Sequence, residues 1–248
     1  MKITQNINMR RNMEYELNQL NQPVGFELQN WKVPCLPPRT ILKGKYCRLE
    51  PLNIQRHAEN LYKANSLDTQ GSCWTYLFCG PFDIFTDYCN WIEKTCLGND
   101  PLFYAVIDSK TNQAVGVVSY LRIDPKHGTI EVGNINFSPL LKQTTAATEA
   151  IILMITNAFE LGYRRFEWKC DALNKPSRIA AERFGFTFEG IFRQAVIVKG
   201  RNRDTSWYSI IDKEWPTLKE KYASWLASEN FDQNGNQIKK LSDLTAKK

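Results

Sequence analysis

Histidine is scarce in this 248-residue chain, which has two, and its seven cysteines include no Cys-x-x-Cys pair. Structural zinc sites draw their ligands mainly from these two residue types at close spacing, so no metal is expected. The cysteines (Cys35, Cys47, Cys73, Cys79, Cys89, Cys96 and Cys170) are odd in number. Most of them read as small apolar fillers in a reducing compartment, which makes the cytoplasm the expected location. No apolar run approaches the ~20 residues of a membrane span. The polar start, Met1-Lys-Ile-Thr-Gln-Asn, offers no signal-type hydrophobic segment, so no membrane partner is expected. Internal repeats are also missing. The net charge of +6 is dispersed, apart from Lys239, Lys240, Lys247 and Lys248 near the end. Without a clustered basic face, direct nucleic-acid binding is not expected; the charge supports a moderate attraction to anionic ligands.

With 43% hydrophobic residues, the chain can bury a full core as one domain with extensions. Residues 1–45 are asparagine-rich and carry Pro34, Pro37 and Pro38. They read as an irregular N-terminal arm, packed after about Gly25, with Phe26 and Trp31 as anchors. The domain proper is expected over 46–212. A strand at Tyr46–Pro51 leads to a helix capped by Asn53, and a second helix starts at Asp83. Strands follow at Leu102–Ile107, Ala114–Ile123 and Thr129–Phe137, joined by turn-rich segments. Then come a helix (Ala147–Leu161), a strand (Arg164–Asp171), a helix (Asn174–Phe184) and a long hairpin (Phe186–Asp212). Residues 213–248 read as a C-terminal helix and a polar, frayed tail. The order β-α-α-β-β-β-α-β-α-β-β predicts an α+β fold, an antiparallel meander followed by helices that cover a mixed sheet.

The segment Pro139-Leu-Leu-Lys-Gln-Thr-Thr-Ala-Ala-Thr-Glu-Ala150 carries the chemistry. A strand that runs into small hydroxyl and methyl side chains and then opens a helix aims free backbone N–H groups at one point. Such a point suits a diphosphate. Plain N-capping by threonine is the structural alternative.

The order of strand, Pro-x-x, basic-x-x-small-x-Ala and helix resembles the acetyl-CoA loop of the GNAT (Gcn5-related) N-acetyltransferases. Asn174-Lys-Pro-Ser177, followed by a helix ending at Gly185-Phe186, is similar to the family's second signature. Ala147-Thr148-Glu149-Ala150 and the Gly200-Arg-Asn-Arg-Asp204-Thr205 hairpin resemble the branch that acetylates ribosomal-protein N-termini (RimJ/RimL-like). The resemblance covers roughly Lys43 to Asp212. It departs from the family pattern at Lys142, where Arg or Gln is usual, at Thr145, where Gly is usual, and at Ala181, where a Tyr acid is common.

The resemblance implies a mixed, mostly antiparallel central sheet flanked by helices, with acetyl-CoA as co-substrate and a transferase acting on an amine. Strand edges at Gly133–Phe137 and Trp168–Asp171 would splay to take the pantetheine arm. Phe137, Lys142, Gln143, Thr144, Thr145, Ala146, Ala147 and Thr148 would hold the cofactor, together with Asn174 and Ser177. Ser177 is also a candidate for the reacting sulfur, and helix capping is the local alternative for Asn174.

The implied reaction is direct attack of the amine on the thioester within a ternary complex. Cys170 has no nearby histidine in sequence to serve as a base, which argues against an acyl-enzyme. Glu131 is the candidate general base, with a plain strand carboxylate or salt bridge as the alternative. At pH 7 neutralising an α-amine of pKa near ~8 costs about 1.4 kcal/mol, against about 4.6 kcal/mol for a lysine. This favours a protein N-terminus or a small-molecule amine as the acceptor. Tyr120, Arg122, Trp168 and Trp207 are candidates for the acceptor side, with packing the alternative for each. A non-catalytic acyl-CoA sensor or scaffold is the alternative function, and a homodimer is left open.

Overall fold

The computed structural model describes residues 15–246. The first part of the expected arm, and Lys247 and Lys248, lie outside the described residues. Two units are distinct, divided between Lys32 and Val33. The first holds a small hairpin of β1 (Tyr15–Leu17) and β2 (Pro23–Gly25). Asn18 Oδ1 closes its turn by accepting from the amides of Leu20 and Gln22 at 2.9 and 3.0 Å. The irregular arm expected from composition therefore contains a local hairpin, because an Asx-type turn supplies backbone partners that asparagine richness alone does not reveal.

The second unit begins with an extended, proline-rich run whose Pro34 and Pro37 are buried. Tyr163 and Tyr104 donate to the carbonyls of Cys35 and Pro38, both at 3.2 Å. The elements that follow are β3 (Leu42–Lys43), β4 (Cys47–Pro51), α1 (Ile54–Ser66) and α2 (Phe85–Trp91), which runs on through a wider turn to Cys96. Then come β5 (Leu102–Asp108), β6 (Ala114–Asp124), β7 (Thr129–Phe137), α3 (Thr145–Glu160), β8 (Arg165–Asp171) and α4 (Lys175–Arg183). The chain ends with β9 (Thr187–Val198), β10 (Arg201–Ile211), α5 (Trp215–Leu226) and α6 (Leu241–Thr245). From β4 to β10 this is the element order read from the sequence.

The strands form one eight-stranded sheet in the order β3-β4-β5-β6-β7-β8-β10-β9. Every pairing is antiparallel except β7 with β8. The two faces are covered unequally. Because strand side chains alternate, Tyr104, Tyr120, Ile130, Val132, Phe166, Trp168 and Tyr208 face α3, α4 and α5 and form the larger core. Phe103, Ala105, Ile107 and Val117 meet α1 and α2 in a second core. That layer stops short of β8 and β10, whose facing side chains there include the polar and charged Glu167, Lys169 and Thr205 beside Trp207. An open, charged half-face results.

Local sequence explains the helix boundaries that place the site. Asn53 caps α1 by accepting from the Arg56 amide at 3.0 Å, and Thr144 Oγ1 caps α3 by accepting from the Ala147 amide at 3.1 Å. Gly185 ends α4 at φ +85, where a Cβ would stand 2.8 Å from Leu218. That close approach and the positive φ both require glycine. The buried Glu149 accepts from the amides of Lys45, Tyr46 and Cys47 at 2.8, 2.6 and 2.8 Å, fastening α3 to the start of β4.

The tail is not frayed as composition implied. Trp225 and Leu241 are core residues. The Asn230 amide nitrogen donates to the carbonyls of Trp225 and Lys239 at 2.9 and 3.2 Å, and Asn230 Oδ1 accepts from the Lys239 amide at 2.8 Å. One buried amide side chain thus ties a polar segment to the core, a contact with no periodic signature.

Candidate functional site

The parallel pairing of β7 and β8 runs from Thr129 opposite Arg165 to Val132 opposite Trp168 and ends there. β7 continues alongside β6 to Phe137, and β8 continues alongside β10 to Asp171. Asn134, at φ +50, sits in a bulge between the Ser119–Gly133 and Val117–Asn136 pairs. One extra residue in a strand bends it and breaks the ladder. Gly133–Phe137 and Lys169–Asp171 thus share no ladder bonds, which leaves a cleft with facing backbone edges.

Polar groups without partners gather at the upper end of β7. Both amide atoms of Asn136 and the hydroxyl of Ser138 are buried and have no hydrogen-bond partner among the described residues. The loop after Ser138 turns back on itself, because the Ser138 carbonyl accepts from the amides of Leu141 and Lys142, both at 3.0 Å. Gln143 then takes φ +62. The amides of Thr144, Ala147 and Thr148 are used within the loop, by the Leu141 carbonyl, Thr144 Oγ1 and the Thr144 carbonyl. Those of Gln143, Thr145 and Ala146 have no partner among the described residues. The run of amides expected over Gln143–Thr148 is therefore narrowed to these, at the N-terminus of the long helix α3, where the helix dipole favours an anion. Lys142 is exposed beside them, and Phe137 precedes the loop with its ring half-buried.

Asn174 and Ser177 stand at the other wall, beyond the end of β8. Asn174 Oδ1 accepts from the Ser177 amide at 3.2 Å, capping α4. Trp168 Nε1 donates to Ser177 Oγ at 3.0 Å. Since the indole can only donate, the serine proton stays free to point elsewhere. Cys170 lies beside Ser177; burial raises its thiol pKa, and the Ser177 hydroxyl, Arg203 and Arg178 offset this only in part. A buried thiol pushed upward is a poor nucleophile. Ala181 is fully buried in the core, so this position supplies no acid.

The open face carries a ladder of alternating charge. Glu131, 2% exposed, accepts from Arg122 Nε at 2.7 Å and pairs with Lys169 Nζ at 3.0 Å. Lys169 also meets Glu167 at 2.7 Å and sits 3.7 Å from the centre of the Trp207 ring. Arg165 bridges Glu167 and Glu189, at 2.6 Å to each. Burial disfavours the charge on Glu167, but hydrogen bonds from Lys169 and Arg165 outweigh it and hold the carboxyl below its usual range. Arg122, Lys169, Glu167 and Trp207 line an open cavity of about 520 Å3.

This geometry divides the acceptor-side candidates. Arg122 and Trp207 lie on the open face. Arg122 gets there through a bulge, with φ +48 and its amide held by Asp100 Oδ1 at 2.9 Å. Tyr120 does not: it is fully buried against α3, donating to the Met154 carbonyl at 2.6 Å. Trp168 likewise points to the helical side, where it packs on Phe184 and Phe186. Strand alternation puts both residues on the face away from the open cavity. Glu131 is also not a free carboxylate, since two cations hold its oxygens. Sequence reasoning passed over Lys169 and Arg203. The alternation of β8, with Phe166, Trp168 and Cys170 on the core side, marks Lys169 as facing the other way.

Among the described residues no group of His, Cys, Asp and Glu side chains is placed to hold a metal ion. No helix is long and apolar enough to cross a membrane.

Residues 48–187 match the family described as an acetyltransferase (GNAT) domain. A crystal structure of a GCN5-related N-acetyltransferase from Brucella melitensis is 49% identical, with a TM-score of 0.86 over 88% of this chain and 99% of that one. A probable GNAT acetyltransferase from Chromobacterium violaceum is 41% identical, with a TM-score of 0.73 over 79% of this chain and 98% of that one. The ribosomal-protein-serine acetyltransferase of Escherichia coli is 32% identical over 42% of this chain, which spans 59% of that relative's length.

Proposed function

Because the chain belongs to the GNAT acetyltransferase family, we propose that it moves the acetyl group of acetyl-CoA to a primary amine, a protein N-terminus or a small molecule, by direct attack in one ternary complex. The observation that carries this reading is the split between β7 and β8, with the buried side chains of Asn136 and Ser138 and the amides of Gln143, Thr145 and Ala146 at its upper end all lacking partners among the described residues. These groups fit a ligand with an amide-bearing arm and a diphosphate. Acetyl-CoA supplies both, together with an activated thioester.

In this reading the strand edges at Gly133–Phe137 and Lys169–Asp171 hold the pantetheine arm as an added strand. The free amides and Lys142 hold the diphosphate. Asn174 orients α4 through its cap. Ser177, whose oxygen already accepts from Trp168, donates its proton toward the departing sulfur. It takes the part that Ala181 cannot. Glu131 has the role of holding Lys169 and Arg122 in place, and the amine's proton passes to water. That proton is cheap to lose only for an amine of modest basicity, which supports an α-amine or a small-molecule amine. The E. coli relative is named a ribosomal-protein-serine acetyltransferase, which supports a protein as one acceptor class.

Initial rates at varied acetyl-CoA and amine test direct attack. Intersecting double-reciprocal lines are expected. Parallel lines would mean that an acyl-enzyme forms and that direct attack is wrong.

A further inference from the structure

Arg203 is a buried cation without an anion. It is 9% exposed, its Nε has no hydrogen-bond partner, and no carboxylate pairs with it among the described residues. Its sole described contact of a charged kind is with the ring of Phe78, at 5.3 Å from the guanidinium carbon to the ring centre. Burial pushes its pKa down from the arginine value, and the charges of Asp171 and Glu131 counter this only in part. The Nε is shut off from water, whereas the two terminal nitrogens are not among the fully buried atoms, and their planar fork matches a carboxylate or phosphate that reaches them.

The position of Arg203 ties it to the acceptor side. Along β10, Arg203, Thr205 and Trp207 alternate onto the open face that also carries Lys169. Thr205 lies opposite Asp171, the last residue of β8 at the mouth of the cleft. Phe78 belongs to the long segment between α1 and α2, which reaches the β9–β10 turn, where Lys199 Nζ donates to the Trp74 carbonyl at 2.8 Å, and the β8–α4 loop, where Tyr76 OH donates to the Leu173 carbonyl at 3.3 Å. The segment therefore closes over the open face beside the cleft. The free amides that suit the coenzyme diphosphate lie at the same end of the sheet but across the split, at the end of β7 and the start of α3, a helix that packs on the opposite face from Arg203.

We infer that Arg203 binds an anionic group of the acceptor, a carboxylate or phosphate carried near the reacting amine, so that the preferred substrates are amines bearing negative charge. This rests on the acetyl-transfer reading above and names the acceptor class for that site. Charge–charge hydrogen bonding at a partly desolvated arginine gives selectivity as well as affinity, because a neutral analogue leaves the guanidinium without a charged partner.

Matched pairs test it directly: L-serine with L-serinamide, phosphoethanolamine with ethanolamine, and the peptides Ser-Asp-Gly and Ser-Asn-Gly. For at least one pair the anionic member should be preferred by about 10-fold or more in kcat/KM. Arg203→Gln should reduce that preference to within about threefold, and Arg203→Lys should keep part of it, while coenzyme A still raises the melting temperature of both variants. The preference of the unaltered protein is informative even if Arg203→Gln fails to fold. Transfer without charge preference, or a preference that survives in Arg203→Gln, overturns the inference alone. If no member is acetylated although coenzyme A binds, the acetyl-transfer reading fails and takes the inference with it.

Discussion

The indole N–H of Trp168 and the hydroxyl oxygen of Ser177 are 3.0 Å apart, and the indole is the donor. This one bond links the sheet to the start of α4 and leaves the Ser177 proton free of the indole, to be given to the neighbouring Cys170 sulfur or to a ligand. The pair therefore makes a specific claim about protonation of the leaving thiolate. Ser177→Ala should lower kcat by about 10²–10³, within the range for loss of a positioned proton donor, with little change in coenzyme affinity. Trp168→Phe should give a smaller loss, since the serine stays but loses its orientation. Equal kcat for Ser177→Ala and the unaltered enzyme would remove Ser177 from the chemistry.

A second prediction concerns the loop. Thr145 contributes one of the free amides at the start of α3. In Thr145→Glu the new carboxylate suits the helix dipole, so the melting temperature should change little. The same charge would occupy and repel the diphosphate site. Calorimetric binding should show coenzyme A affinity falling well beyond threefold. Retained affinity would reduce the loop to a helix cap.

Glu131→Gln separates a base from a brace. With Glu131 held by Arg122 and Lys169, the substitution should weaken activity by a factor that stays constant with pH, because it loosens the charge ladder. A defect that shrinks as pH rises toward the acceptor's pKa would restore Glu131 as the general base, since solution chemistry then supplies the neutral amine.

The segment over the open face has its own acid sensitivity. Asp68 accepts from the Ser72 hydroxyl at 3.0 Å and the Cys73 amide at 2.7 Å, and the bonds from Cys73 and Ser72 bring its carboxyl down to about 2. Its pKa is depressed on folding, so its contribution is full above the unfolded value of about 3.9 and fades as pH falls toward 2. Amide hydrogen exchange in residues 67–84 should accelerate, relative to the core, across that window. In Asp68→Asn the acid-specific part should be gone.

The sequence made the framework legible because its signals are local. Asn53 caps α1 where a cap was expected, Gly185 stops α4, and alternation outlines β5, β6 and β7, while α3 starts at Thr145 behind its Thr144 cap, two residues before the expected Ala147. The β7–β8 split was legible through the resemblance alone, since a bulge at Asn134 is invisible to a period-two pattern. The acceptor face was harder to read. Tyr120 and Arg122 are two residues apart and should share a face, yet the bulge at Arg122 turns it toward Glu131 while Tyr120 stays in the core. Lys169 and Arg203 matter because of what surrounds them across the sheet, and no spacing in the chain records that.

The most direct test is thiol release from acetyl-CoA, measured against a panel of α-amines, small-molecule amines and lysine side-chain analogues, with mass spectrometry of the acceptors. Release of coenzyme A matched one to one by an N-acetylated α-amine or small-molecule amine is expected, with lysine analogues far slower at pH 7. Tight coenzyme binding with no thiol release for any amine would contradict it and leave a non-catalytic acyl-CoA sensor in its place.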